Sequence, residues 1–194
     1  NVDPSWENRE TQGVLATSQF REGAKVLARM GLSLDTMQSF PQLTELADFA
    51  KSVPELTIIL NHIGGLSRTG IYANKDDEVL PVWREGIAAV AACPNVVVKL
   101  GGLGMPRIGF GWHAREVPIG SEELAVAMSP WLTYCIEQFG PDRCMLESNF
   151  PPDKVSFSYN VMYNAFKILT RSYSATERAD MLHDTAVRAY RIDV

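Results

Sequence analysis

The sequence predicts an α/β fold in which a parallel sheet is covered by helices. Helical and strand-like segments alternate along the 194 residues, and the strand-like segments are unbroken apolar runs, as in sheets that are buried on both faces. With 46% hydrophobic and 21% charged residues, the chain has the composition of a globular protein with a core. Residues 1–18 are predicted to form an N-terminal extension, and residues 19–194 a single α/β domain.

Each predicted element has a start or a stop signal. The first helix ends at Gly31, which suits a left-handed helix end, and the second begins at Pro41, which suits a first helical turn. Glycine pairs follow the second and third strands, and Ser174 with Glu177 forms a capping box for the last helix. The predicted helices are 19–30, 41–51, 81–92, 121–139, 159–172 and 175–190, and the predicted strands are 32–37, 56–60, 96–100 and 143–147.

Charge and hydrophobicity argue against two classes of partner. The chain carries 18 Lys and Arg against 23 Asp and Glu, a net charge of −5, without the basic cluster that nucleic acid binding needs. No apolar run approaches the roughly 18 residues of a membrane-spanning helix. The three cysteines form no CxxC pair, which favours buried thiols and a cytoplasmic location. We therefore expect a small-molecule partner, and neither nucleic acid nor a membrane.

The candidate catalytic residues follow the predicted strands, because ligands of parallel sheets bind at the carboxyl ends of the strands. His62 follows the second strand and can act as a general base, an acid or a metal ligand, or it is a structural histidine. Glu147 and Asn149 lie two residues apart at the fourth strand and share a face. Lys99, on the preceding strand, is a candidate ion-pair partner of Glu147, since an unpaired buried charge is costly; the alternative is a purely structural pair. Lys99 is also a predicted substrate-binding residue. Asn149 can hydrogen-bond a substrate but cannot act as a base.

Further substrate-binding residues are predicted in the long loop 104–120. A loop of this length is functional more often than average. Arg107 can hold a substrate carboxylate, and Trp112 and His113 lie near it in the chain. The alternative is a solvated loop that packs its aromatic side chains on the surface.

Three strand-end strings resemble one known family. They are TIILNHIGG at 57–65, NVVVKLGGL at 95–103 and FGPDRCMLESNFP at 139–151. Together they resemble the amidohydrolase-related (amidohydrolase 2) family of TIM-barrel hydrolases, which includes lactone and dicarboxylate hydrolases and some decarboxylases. The resemblance covers about residues 20–192 and implies the C-terminal half of a (β/α)8 TIM barrel, with the four strands corresponding to about strands five to eight.

The resemblance also implies site residues and a reaction. His62 matches the family's sixth-strand histidine, a catalytic or metal-associated group, while the two positions that usually hold metal ligands carry Phe40 and Asn149. A divalent metal such as zinc is therefore not expected. The predicted function is metal-independent hydrolysis of a C–O or C–N bond (lactone, amide or ester) in a small carboxylated substrate. His62, Glu147 and Asn149 are the predicted catalytic residues, with Glu147 as a candidate base and Asn149 binding an oxyanion or an amide.

Other functions stay open at this point. They are a metal-dependent amidohydrolase, a non-oxidative decarboxylase, and a catalytically inactive fragment or binding scaffold. A complete barrel takes about 250 residues, and four strands alone leave two unpaired sheet edges and an open inner face. We therefore expect either association with a missing N-terminal half or a homo-oligomer.

Overall fold

The computed structural model describes residues 13–193 and contains one parallel four-stranded sheet. The strands lie in the order β1-β2-β3-β4, and each pairs in parallel with the next strand along the chain. They are β1 Ser33–Thr36, β2 Thr57–Leu60, β3 Val96–Leu100 and β4 Cys144–Leu146. The predicted parallel sheet is confirmed.

Helices alternate with these strands and continue beyond the last one. They are α1 Ser18–Arg29, α2 Leu43–Ser52, α3 Asp76–Ala91, α4 Ser121–Phe139, α5 Tyr159–Leu169, α6 Ala175–Ala179 and α7 Thr185–Tyr190. A π-helical turn, Asp180–Asp184, joins α6 to α7 within the segment predicted as one helix. In the described part of the chain, no helix has the length and apolar character that crossing a membrane requires.

The main core lies between the sheet and the helices that cover its outer face. Alternate strand residues point there and are fully buried, among them Ile58, Leu60, Val98 and Leu100. The three cysteines are also buried, and none is in a disulfide. Leu15, in the short turn before α1, packs into the same core. The remainder of the predicted N-terminal extension, residues 1–12, lies outside the described residues.

The inner face of the sheet is partly covered, which corrects the expectation of an open face. Ile59, Met145 and Ala189 form a second buried cluster, with Val97 packed against it. Ala189 belongs to α7, so the last helix returns to the face opposite the main core. The Tyr190 hydroxyl extends this contact by donating to the Asp35 carboxylate at 2.9 and 3.1 Å.

Candidate active site

The predicted residues His62 and Glu147 meet at the carboxyl ends of the strands. His62 Nδ1 lies 2.5 Å from Glu147 Oε1. Their side chains keep 16% and 19% of their accessible surface, so the pair is sheltered yet open to a small molecule. Because Nδ1 faces the carboxylate, Nε2 is the ring nitrogen left for another partner.

A glycine pair makes this contact possible. His62 follows β2 and Glu147 follows β4, so β3 lies between them and separates their strands by roughly 9.5 Å. A Cβ at Gly101 would lie 2.5 Å from Glu147 Cγ, and one at Gly102 would lie 2.7 Å from His62 Cβ. The side chains of His62 and Glu147 therefore meet over a strand end that carries no side chains of its own.

The backbone that carries His62 is a left-handed turn. Residues His62–Gly65 have φ values of 52°, 48°, 75° and 65°. A left-handed conformation costs a residue with a Cβ about 1–2 kcal/mol, so the surroundings must hold it. Ile63 is fully buried, and its carbonyl accepts a 2.8 Å bond from Trp83 Nε1. At Gly65 a Cβ would lie 1.7 Å from the Gln38 carbonyl oxygen, so this position needs glycine.

Lys99 does not pair with Glu147, contrary to the prediction. Its Nζ lies 2.6 Å from Asp35 Oδ1, on the inner face of the sheet, and 5.6 Å from the centre of the Tyr190 ring. Burial opposes the charge on Lys99, but hydrogen bonds with Asp35 and Tyr190 outweigh it and raise the Lys99 pKa. The long side chain extends past β2 to β1, where Asp35 offers a carboxylate. Glu147 is paired with His62 instead.

Asn149 follows Glu147 by two residues and is held by Asp153. Asn149 has a left-handed backbone with φ of 51°, and its Nδ2 donates to Asp153 Oδ1 at 2.7 Å. Asp153 is completely buried, and its Oδ2 accepts a 3.0 Å bond from the Gly104 amide. Burial raises the pKa of Asp153 to about 6, although the bonds from Gly104 and Asn149 favour its charged form.

Sequence reasoning did not find Asp153. The available signal was weak: an aspartate four residues after Asn149, across the pair Pro151-Pro152. That spacing does not reveal the bond to Gly104, which lies 49 residues earlier in the chain. The position of Asp153 beside Asn149 therefore depends on a contact between distant parts of the chain.

The long loop is packed around its aromatic residues. Trp112 is buried and stacks on Phe110, with ring centres 4.3 Å apart and planes 2° apart. His113 is exposed, and among residues 13–193 no hydrogen bond, ion pair or ring contact joins it or Trp112 to the His62–Glu147 pair. Their roles in substrate binding stay predictions.

In this loop, Arg107 has a buried hydrogen-bond donor without an acceptor. Its Nη2 is buried and has no hydrogen-bond partner in the described part of the chain. Burial lowers the pKa of Arg107, while the negative charge of Asp153 opposes this. A guanidinium in this state favours an anionic partner.

Comparison with known proteins agrees with the strand-end motifs. The family described as Amidohydrolase (Amidohydro_2) matches residues 1–192. The chain belongs to the amidohydrolase family. This confirms the family that the three strings resemble.

Individual relatives extend well beyond the matched region. The chain is 35% identical over 179 residues to the uncharacterized protein y4mH of Sinorhizobium fredii, a match covering 92% of this chain and 54% of that protein. It is 24% identical over 187 residues to an L-fucono-1,5-lactonase of Burkholderia multivorans, covering 96% of this chain and 60% of that protein. The chain thus spans a little over half the length of these two relatives.

A solved structure supports the barrel. A crystal structure of an amidohydrolase from Burkholderia multivorans with bound zinc matches with a TM-score of 0.79 and 24% identity, covering 93% of this chain and 60% of that one. Likeness at this identity shows the fold. The four parallel strands therefore form part of a TIM barrel, as predicted.

By themselves, the described residues of this chain do not form a zinc site. Among residues 13–193, no three His, Cys, Asp or Glu side chains are grouped so that they could hold a metal. His62 could offer a metal only Nε2, because Nδ1 faces Glu147, and Asn149 presents its amide nitrogen to Asp153. Phe40 is buried with its ring centre 4.9 Å from that of Tyr72. These side chains do not provide the set of nitrogen, sulfur or carboxylate ligands that zinc takes.

Proposed function

We propose that this chain carries the catalytic pair of a metal-independent hydrolase that opens a lactone, ester or amide in a small carboxylated substrate. The observation that carries the proposal is the 2.5 Å contact between His62 Nδ1 and Glu147 Oε1 at the carboxyl ends of the strands. A histidine oriented by a carboxylate is a general base with one free ring nitrogen. The relationship to an L-fucono-1,5-lactonase supports the lactone as the first substrate class to test.

We assign a different role to each partner. Glu147 accepts the Nδ1–H of His62 and keeps the lone pair on Nε2. Nε2 takes a proton from water as the water oxygen attacks the substrate carbonyl. The carbonyl then re-forms, the ring C–O bond breaks, and the proton passes from Nε2 to the leaving oxygen, so that lactone and water give a hydroxy acid. His62 is thus the base, and Glu147 orients it and stabilises its charged form.

Arg107 is the reason for proposing that the substrate carries a carboxylate. Arg107 is partly exposed as a residue, and its Nη2 lacks an acceptor in the described part of the chain. A carboxylate that reaches the guanidinium can receive two parallel bonds from it. Of the other predicted substrate-binding residues, Lys99 is engaged by Asp35 and Trp112 is stacked on Phe110. We therefore place Arg107 first among the candidates for substrate recognition.

Two further properties belong to this proposal. The sheet edges at β1 and β4 each have one strand neighbour in the described residues, and we propose that a second copy or a preceding half of the barrel completes the fold. The three buried thiols outside any disulfide support a reducing, cytoplasmic compartment.

The proposal is tested with a panel of lactones, esters and amides, each with and without a carboxylate, in the presence of a chelator. We expect turnover of carboxylated members that survives chelation. His62→Gln should lower kcat by at least about 100-fold, as for loss of a general base. His183→Gln is the matched control, because His183 is exposed and bonds only Asp184 among the described side chains.

Three results would contradict parts of the proposal. Wild-type turnover in His62→Gln or Glu147→Gln overturns the catalytic assignment. Activity that is lost on chelation and restored by zinc supports the metal-dependent alternative. Equal turnover of substrates with and without a carboxylate removes the role given to Arg107.

A further inference from the structure

Asp153 is a buried carboxylate that the proposed reaction does not use. It has no accessible surface, so it cannot touch a substrate. Its two oxygens are both occupied: Oδ1 accepts from Asn149 Nδ2 at 2.7 Å and Oδ2 accepts from the Gly104 amide at 3.0 Å. A buried carboxylate is costly, which suggests a purpose beyond packing.

We propose that Asp153 is a positioning residue that fixes the side-chain amide of Asn149, so that Asn149 offers its Oδ1 acceptor to the reacting molecules. An ionised carboxylate only accepts hydrogen bonds, so it selects the nitrogen end of the facing amide. A flipped Asn149 would place two acceptor oxygens against each other. The oxygen end of Asn149 is then the part that Asp153 leaves free.

The side chain of Asp153 is itself held in place. The Ser156 hydroxyl donates to the Gly104 carbonyl at 2.5 Å, so Gly104 is held on both sides of its α-carbon. A Cβ at Gly104 would lie 2.9 Å from Asp153 Cβ and 2.8 Å from Phe157 Cζ, so the close approach requires glycine. This network joins the loop after β3 to the loop after β4, next to the catalytic pair.

The consequence is a specific role for Asn149. An acceptor binds the hydrogen of the attacking water or of a substrate hydroxyl, whereas an oxyanion requires a donor. Asn149 therefore orients a hydroxyl-bearing group, and the oxyanion must find its donor elsewhere. The acceptor role rests on the proposed hydrolysis, whereas the orientation of the amide does not.

The first experiment reverses the pair. In Asp153→Asn, a single oxygen must serve both Gly104 and Asn149, and we expect kcat to fall about 10- to 100-fold. In the double variant N149D/D153N, the new amide at 153 accepts from Gly104 and donates to the new carboxylate at 149, which still presents an acceptor. We expect this double variant to recover kcat to within about tenfold of wild type in the presence of a chelator.

The second experiment needs no turnover. In the asparagine-labelled protein at about pH 7.5, above the raised pKa of Asp153, the side-chain NH₂ signal of Asn149 is followed by NMR and assigned from Asn149→Asp. We expect it to exchange slowly with solvent and to lose this protection in Asp153→Asn. Asp77→Asn, an exposed change in α3, should leave it unaltered.

The two experiments separate this inference from the proposed function. An unprotected Asn149 signal in wild type, or one unchanged in Asp153→Asn, overturns the positioning role. A protected signal in a protein that hydrolyses nothing supports the positioning role and contradicts the hydrolase. In an active protein, a double variant that remains as slow as Asp153→Asn overturns the acceptor role.

Discussion

At the scale of a single residue, the buried carboxyl of Asp153 should make the free energy of unfolding depend on pH. Burial raises its pKa to about 6, against about 3.9 in an unfolded chain. Between about pH 4 and pH 6 the folded state therefore holds a proton that the unfolded state has lost. The free energy of unfolding should fall as the pH rises through this window, by up to about 3 kcal/mol. Urea denaturation at several pH values measures this change.

The control for this prediction is the variant Asp153→Asn. Other carboxylates titrate in the same range, and Asp76 has the opposite effect because its hydrogen bond with Arg68 lowers its pKa. Subtracting the curve of the variant from that of wild type removes these common contributions. A difference that is flat from pH 4 to pH 7 would contradict the buried, proton-retaining Asp153.

The sequence predicts the position of a single site residue where that residue lies at the end of a recognisable strand. Glu147 directly follows an apolar run and His62 follows one after a single residue, and parallel strands bring such positions to one edge. The partner of Lys99 was not predictable, because two carboxylates lay within range and only the direction of the side chain selects Asp35. The packing of Trp112 on Phe110 likewise depends on the path of a loop, which has no periodic signal.

At the scale of elements, boundaries were predictable where the chain supplies a stop. The helix α4 and the strand β3 have the predicted bounds, and Gly140 and Gly101 follow them directly. The helix α3 begins five residues before the predicted Pro81. Its first turn carries Asp76, Asp77 and Glu78, which are favourable at a helix N-terminus. Pro81 is the sixth residue of the helix, which continues through it with one intrahelical hydrogen bond fewer. The acidic run was therefore the better start signal than the proline.

A substitution at the end of β3 should lower both stability and activity. Gly101→Ala adds a Cβ that would lie 2.3 Å from the Glu147 backbone oxygen. We expect a loss of about 1–3 kcal/mol in the free energy of unfolding, as for an overpacked core. The same displacement should separate Glu147 from His62 and lower kcat. Denaturant unfolding and the hydrolysis assay measure the two effects.

Gly23→Ala is the matched control for this change. Gly23 lies within α1, is exposed and has nothing within 4 Å of an added Cβ. Alanine there should stabilise the protein by about 0.5–1 kcal/mol and leave kcat unchanged. If Gly101→Ala behaved like Gly23→Ala, the glycine pair would not be what allows the contact between His62 and Glu147.

At the scale of the whole molecule, the surface around the β1 edge is unusually apolar. Four of the exposed large hydrophobic residues lie within α1, β1 and their flanking residues, namely Val26, Met30, Leu32 and Met37. An open groove beside them is lined by Phe20, Leu27 and Leu34. An unpaired strand edge next to exposed apolar side chains is a surface that other chains pair with. This surface supports the proposal that a second copy or another segment completes the barrel.

The last prediction tests that surface directly. The chain alone should form a species larger than a monomer in sedimentation equilibrium, because pairing at β1 buries Leu32 and Met37. Replacing both with lysine places two charges at the edge and should return the protein to the monomer without unfolding it, since both side chains are already exposed. Val126→Lys is the control. It adds a charge on the exposed face of α4, outside α1, β1 and their flanking residues, and should leave the association unchanged. A wild-type chain that stays monomeric at about 100 µM would contradict self-association and leave a separate barrel-completing segment as the partner.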